Sequence, residues 1–225
     1  PYGVKSVDTI VQYAQEIVQY LLQREVKLLI VACNTMAAVA KEAINRMSPV
    51  PVLDVIDAGA RMASARTRSR RIGVIGTPAT INSNAYARAI FKHDAGSHVF
   101  SQACSLLVPL VEEGWLDHPV TRMTAQEYLK PILVEHIDTL VLGCTHYPLL
   151  KPLIREITGP DIMLIDSAEA MADTAADLLR EKRIENPLRV NPEYSFHVTD
   201  VPYRFQSIGE NFLGRTLSNI EIAKL

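Results

Sequence analysis

The sequence predicts an α/β protein of two similar lobes, each a mainly parallel sheet flanked by helices, with a functional cleft between them. Three observations predict it. Apolar runs that read as buried strands alternate with helical periodicities along the chain, the pattern of parallel βαβ units with right-handed crossovers. A strand that ends on a cysteine and a small polar turn occurs twice, as LLIVACNT at 28–35 and TLVLGCTH at 139–146. Downstream of each, VLDVIDAGARMA at 52–63 matches IMLIDSAEAMA at 162–172 in outline, with 24 residues from Cys33 to Asp57 and 22 from Cys144 to Asp166.

The elements follow in order. Ile10, Val11, Ala14, Ile17, Val18, Leu21 and Leu22 have helical spacing, so 7–25 is a helix with Ser6 as N-cap and Asp8 in its first turn. KLLIVACN at 27–34 is a strand buried on both faces, and the Ala-rich 35–47 a helix broken by Pro49 and Pro51. Then come strand 52–56, helix 57–67, strand 71–76, a helix through the eighties and early nineties, and strand 98–103. Helices flank Pro119, with Pro131 interrupting and kinking the second. Strand 139–144, a helix begun by Pro148, strand 162–166, helix 168–182, strand 194–199 and helix 202–213 complete the pattern. The lobes are expected to comprise 1–57 plus 170–225, and 58–169. The strand at 71–76 has no counterpart ahead of Cys33; a matching strand and loop would fall before Pro1, so the first lobe is expected to lack a strand.

The 225 residues carry 23 basic and 25 acidic side chains, a net charge of −2, and are 48% hydrophobic. That composition supports a sizeable core and excludes wholesale disorder. Without a basic block there is no electrostatic footprint for nucleic acid or an anionic membrane, and no apolar run approaches the ~20 residues of a membrane span. Three cysteines are no disulfide framework, and Cys33 and Cys144 are too far apart in sequence to suggest a zinc pair. No metal is expected, and the localisation read from this is cytoplasmic.

Cys33 and Cys144 each close a buried strand, where open α/β sheets bind their ligands. A helix N-terminus beside a thiol stabilises its thiolate, and its N–H groups, with the Asn34 and Thr35 side chains, can grip a carboxylate. A free cysteine is more commonly an inert, buried small hydrophobe, so both readings stand for either residue alone. Gly143 admits a ligand to the backbone, Thr145 offers a hydroxyl, and His146 lies two residues beyond the thiol, able to tune it or move its proton. Two equivalent thiols on facing lobes suit attack on one face of a carbon and delivery on the other, which is racemisation at a Cα. Cys104, in QACSLL, is read as packing, and GVIGT at 73–77 as a short turn without the GxGxxG fingerprint.

VACNTMAAVA (31–40), LVLGCTHYPLL (140–150) and PYG (1–3) resemble the glutamate racemases of the aspartate/glutamate racemase family, as do RRIGVIGTPATINSNAY (70–86), VPLVEEGW (108–115) and PVLDVIDAGARMA (51–63). Aspartate racemases share both cysteine turns but have Glu where this chain has His146. The resemblance implies cofactor-independent interconversion of L- and D-glutamate, supplying D-glutamate for peptidoglycan, the cell wall and cell shape. It implies that Cys33 takes the proton from D-glutamate and Cys144 from L-glutamate, with His146 assisting Cys144. Glu112 matches the acidic partner of that histidine, with Glu113 the alternative. Tyr2, Gly3, Asn34, Thr35, Thr145 and His146 match substrate contacts. The family's first strand and Asp-Ser-Gly turn have no counterpart here, so the chain as given is expected to be impaired while the full-length protein is active. Glutamate is the expected partner, with no nucleic acid and no membrane, and a homodimer is left open. The competing readings are a racemase of another acidic amino acid or a hydantoin, and a non-catalytic two-lobed binding protein.

Overall fold

The computed structural model describes residues 2–187 and 192–225. Pro1 of the PYG motif, and 188–191 within the second stretch assigned to the first lobe, lie outside the described residues.

The elements are α1 (Val7–Leu22), β1 (Leu29–Val31), α2 (Asn34–Met47), β2 (Val52–Asp54), α3 (Val55–Arg66), β3 (Arg71–Gly76), α4 (Pro78–Asn82), α5 (Ala85–His93) and β4 (His98–Ala103). They continue with α6 (Leu107–Glu112), α7 (Pro119–Leu133), β5 (Thr139–Gly143), α8 (Lys151–Thr158), β6 (Met163–Asp166), α9 (Ser167–Lys182), β7 (Phe196–Val198), α10 (Pro202–Leu213) and β8 (Ile220–Ile222). Single 3-10 turns cover Tyr2–Val4 and Tyr147–Leu150. The strands form a four-stranded sheet of order β4-β3-β5-β6 and two pairs, β1-β2 and β7-β8, and each pairing is parallel. The α/β class and the helix-flanked parallel sheets are those expected.

Strand alternation sorts the central sheet's side chains between two cores. Ile72, Val74, Val141 and Ile165 pack with Ile10, Ala14, Ile44 and Ile90 from the helices on one face. Ile75, Leu140, Leu142 and Leu164 pack with Leu107, Leu129, Ile132 and Ile154 on the other. Because the chain runs from β3 outward to β4 and returns on the far side as β5, the order reverses between β3 and β5. Gly76 and Gly143 pair there, with Thr77 and Cys144 immediately beyond their carboxyl ends. A ligand crevice belongs at such a point.

The internal repeat holds in three dimensions with one correction. The counterpart of Asp166 is Asp54, not Asp57. Asp54 faces Val31 across the β1-β2 ladder and Asp166 faces Leu142 across β5-β6, in each case the residue two before a cysteine. Asp54 caps α3, accepting from the N–H groups of Ile56 and Asp57 at 3.0 Å; Asp166 caps α9, accepting from Ala168 at 2.9 Å. Asp57 instead lies in the first turn of α3, its carboxylate 3.5 Å from His93.

Other boundaries shift for local reasons. Ser6 caps α1 as expected, accepting from Thr9 N–H. The helix of the eighties is two helices, split where Asn84 adopts φ 55°. Pro131 does not interrupt α7, which continues to Leu133, so that only two helical residues follow the proline. Pro148 sits in a 3-10 turn, and the α-helix starts at Lys151.

Candidate active site

Cys33 is the N-cap residue of α2, without a side-chain capping hydrogen bond, and the Met36 and Thr35 N–H groups and the Thr35 side chain beside it favour its thiolate. Burial nevertheless dominates and raises its thiol above the ordinary cysteine value. Cys144 follows β5 and is 6% exposed. Burial pushes its thiol up to about 12, helped by repulsion from Cys33 and Glu112 and opposed by the His146 N–H and the Thr145 hydroxyl. Each thiol thus resists ionisation, chiefly through burial.

Both cysteines line one cavity of about 740 Å³, which also takes in Tyr2, Gly3, Thr35, Glu112, Thr145 and His146. Eight of the nine residues named from sequence therefore meet in one place. Asn34 is not in the lining. It lies buried next to Cys33 in the chain, its Oδ1 accepting from the Tyr86 hydroxyl at 2.6 Å, while its Nδ2 has no hydrogen-bond partner among the described residues.

Cys144, His146 and Glu112 form a chain. Sγ of Cys144 is 3.7 Å from Nδ1 of His146, and Nε2 of the same ring is 3.3 Å from Oε1 of Glu112. Glu113 is exposed at the end of α6, so Glu112 is the carboxylate that faces the histidine. Burial lowers the His146 pKa, and the Glu112 charge and hydrogen bond partly restore it. The neutral imidazole fits the geometry: Nε2–H donates to the carboxylate, and Nδ1 is the acceptor that faces both the thiol and the Thr145 hydroxyl, the latter at 3.3 Å.

Gly3 admits the Tyr2–Val4 turn to the cavity wall. A Cβ there would lie 2.6 Å from Cβ of Thr77. Thr77 belongs to a buried triangle of hydroxyls, its Oγ1 being 2.9 Å from that of Thr35 and 3.0 Å from that of Thr80. Thr77 also lines the cavity and was missed, although a Gly-Thr turn closing a buried strand could have flagged it. Ser195, His197, Thr199 and Asp200 line the opposite wall. His197 bonds Tyr20 through Nδ1 and Ser195 through Nε2, each at 3.0 Å. No local pattern announces this cluster, because Tyr20 and His197 are 177 positions apart. Cys104 is fully buried, and its Sγ donates to the Gln102 carbonyl at 3.6 Å.

The sequence pattern of the Asp/Glu/Hydantoin racemase family matches residues 1–175. The chain belongs to that family. Within it, the chain is 68% identical to a glutamate racemase of Syntrophus aciditrophicus, over 100% of this chain and 83% of the relative. The crystal structure of a glutamate racemase isoform from Bacillus anthracis superposes with a TM-score of 0.96 at 38% identity, covering 100% of this chain and 84% of that one. A glutamate racemase from Francisella tularensis, solved in complex with D-glutamate, gives 0.93 at 41% identity, covering 100% and 83%. Among the described residues no helix of this family member is long and apolar enough to cross a membrane.

Proposed function

We propose that this protein interconverts L- and D-glutamate without a cofactor, using Cys33 and Cys144 as paired acid and base. One observation carries the reading: two thiols stand in one cavity, each just past a strand whose register to a capping aspartate is the same. The identity to enzymes named glutamate racemase supports glutamate as substrate.

In the L-to-D direction the Cys144 thiolate takes the Cα proton and the Cys33 thiol delivers its own to the opposite face. The enzyme is left with Cys144 protonated and Cys33 ionised, and no net proton is gained or lost. The reverse direction exchanges these roles. Burial opposes the thiolate, so the incoming α-ammonium provides the compensating positive charge and ties ionisation to binding. Carbanionic charge developing at the carboxylate needs fixed donors in a dry site. The turns after the two cysteines, with Thr35 and Thr145, supply them, Asn34 backs the first turn from outside the cavity, and Tyr2 and Gly3 close the cradle. Between L-to-D turnovers His146, oriented by Glu112, takes the proton from Cys144 and the proton returns to Cys33, so that Cys144 is again the thiolate and Cys33 the thiol.

The lobes in this reading are 1–57 plus 170–225, and 58–169, joined through α3. The product supplies D-glutamate for peptidoglycan in the cytoplasm, with a homodimer as the candidate assembly. Incubation of either glutamate enantiomer in D₂O tests the chemistry. The full-length protein is expected to wash deuterium into Cα and approach a racemic mixture, far faster than with aspartate. Absence of exchange in the presence of glutamate overturns the reading.

A further inference from the structure

Tyr86 stands between the two cysteine turns without touching the cavity. It follows the left-handed turn at Asn84 that separates α4 from α5, and it is 3% exposed. Its hydroxyl donates to Oδ1 of Asn34 at 2.6 Å, the residue next to Cys33. The Ser167 side chain, next to the capping Asp166, lies beside the same phenol oxygen and favours its ionised form, against the larger effect of burial. On the other side the ring packs on Gly143, the residue next to Cys144: a Cβ on that glycine would lie 3.0 Å from Cε2 of Tyr86. Gly59 of α3 makes room for the hydroxyl end, where an added Cβ would lie 3.3 Å from it. One buried side chain thus braces the residue after the first thiol and the residue before the second.

We propose that Tyr86 is a positioning residue that keeps the two thiol turns in register, its hydroxyl fixing Asn34 beside Cys33 and its ring backing Gly143 beside Cys144. This rests on the two-thiol reading above. Burial holds the phenol well above its ordinary pKa, so it stays protonated and acts as a donor. That commits Oδ1 of Asn34 as the acceptor, so the unpartnered Nδ2 is the donor left over next to Cys33. Without the hydroxyl the amide is free to turn over, and the first turn loses its tie to the second.

Tyr86→Phe keeps the ring and removes the hydroxyl. Proton transfer between two fixed bases is sensitive to displacements of about 1 Å, so kcat is expected to fall about 10–100-fold in both directions. The isotope effect with Cα-deuterated glutamate should rise as proton transfer becomes more limiting, while the urea midpoint falls only by what the loss of one buried hydrogen bond explains. Because the residue acts through Asn34, adding Tyr86→Phe to Asn34→Ala should cost nothing further. An unchanged kcat, a loss without a change in isotope effect, or losses that multiply in the double variant would each overturn the proposal. Should Tyr86→Phe give too little folded protein, Ser167→Ala carries the test. It removes the hydroxyl beside the phenol oxygen and is expected to lower kcat several-fold with the same isotope signature; a kcat equal to that of the unchanged protein overturns the proposal. The unchanged protein is the control: if it fails to exchange Cα hydrogen, the racemase reading falls, whereas normal exchange in both proteins sinks only the role of Tyr86.

Discussion

Asp54 and Asp166 occupy the same place in the two halves of the molecule. Each lies across a parallel ladder from the residue two before a cysteine, caps the next helix and faces a lysine: Lys41 Nζ at 2.6 Å from Asp54 and Lys151 Nζ at 3.6 Å from Asp166. The two are not equal in strength. Asp54 accepts two backbone N–H groups, Asp166 one, and Lys151 has a second partner in Glu169 at 2.8 Å. Loss of an N-cap costs about 0.5–2 kcal/mol, so Asp54→Ala is expected at or above the top of that range and Asp166→Ala near its middle. Urea unfolding of both variants measures this. A larger loss for Asp166→Ala would contradict the ranking.

The Glu112–His146–Cys144 chain predicts a pH signature. His146 must be unprotonated at Nδ1 to accept from the thiol, so L-to-D turnover fails as pH falls through its pKa. Burial already sets that pKa below the ordinary imidazole value, and Glu112 opposes the shift. Glu112→Gln removes the opposing charge, so the acid limb of kcat for L-glutamate should move to lower pH. A limb that moves upward, or stays in place, would mean that His146 does not govern it.

His146→Asn tests the same chain by direction. Loss of a proton-transfer assistant is typically worth ~10²–10⁴-fold. The loss in kcat should be greater from L to D, where Cys144 is the base, than from D to L. The two kcat/KM values must fall together, because the equilibrium between enantiomers is one. Equal, unchanged kcat values in both directions would reduce His146 to packing.

Gly3→Ala places a methyl 2.6 Å from Cβ of Thr77. Either the Tyr2–Val4 turn or the hydroxyl triangle must move, and overpacking of this kind costs about 1–3 kcal/mol. Because both line the cavity, KM for glutamate should rise more than tenfold as the turn withdraws. Unchanged kinetics would show that the turn is not part of the binding surface.

Asp138 carries a prediction about stability alone. Although burial opposes ionisation, its carboxylate accepts from the Thr67 and Thr139 hydroxyls at 2.6 and 2.9 Å and from the N–H groups of Arg68 and Ser69 at 2.7 and 2.5 Å, which together hold its pKa far below the ordinary range. The folded-state pKa is depressed, so this stabilisation is present above the unfolded value of about 3.9 and is lost as pH falls below it. Asp138→Ala should cost about 1–3 kcal/mol at pH 7, and the gap from the unchanged protein should shrink in acid. A gap that is constant with pH would assign the effect to packing.

Most of the framework was legible because burial on both faces leaves an unambiguous mark. RIGVIG and TLVLG were read to within a residue, and the thiol positions followed from where those apolar runs stop. Between strand and helix the sequence was less decisive: Asp54 and Asp57 are both able to cap, and only the point where β2 ends selects Asp54. The run from 27 to 34 is longer than the three residues of β1 that pair with β2, since pairing, not hydrophobicity, defines a strand. β8 went unread because its three residues carry no periodicity and its partner β7 lies more than twenty positions upstream. In the site, the cysteine turns declare themselves locally. The wall formed by Tyr20, Ser195 and His197 exists only after the chain ends have been brought together.

The duplicated thiol units differ in their surroundings, and in the proposed reaction that difference has a consequence for the catalytic cycle. Each turnover releases product from an enzyme whose proton sits on the opposite sulfur from where it began. The free protein therefore exists in two forms, one prepared for each enantiomer. Cys144 has His146 and Glu112 beside it, and Cys33 has the donors at the start of α2 instead. Nothing requires the two forms to be equally populated. The protein can thus hold one enantiomer more tightly than its mirror image while still bringing the free pair to equal concentrations, and at high substrate its speed can be set by the return of a proton between two sulfurs.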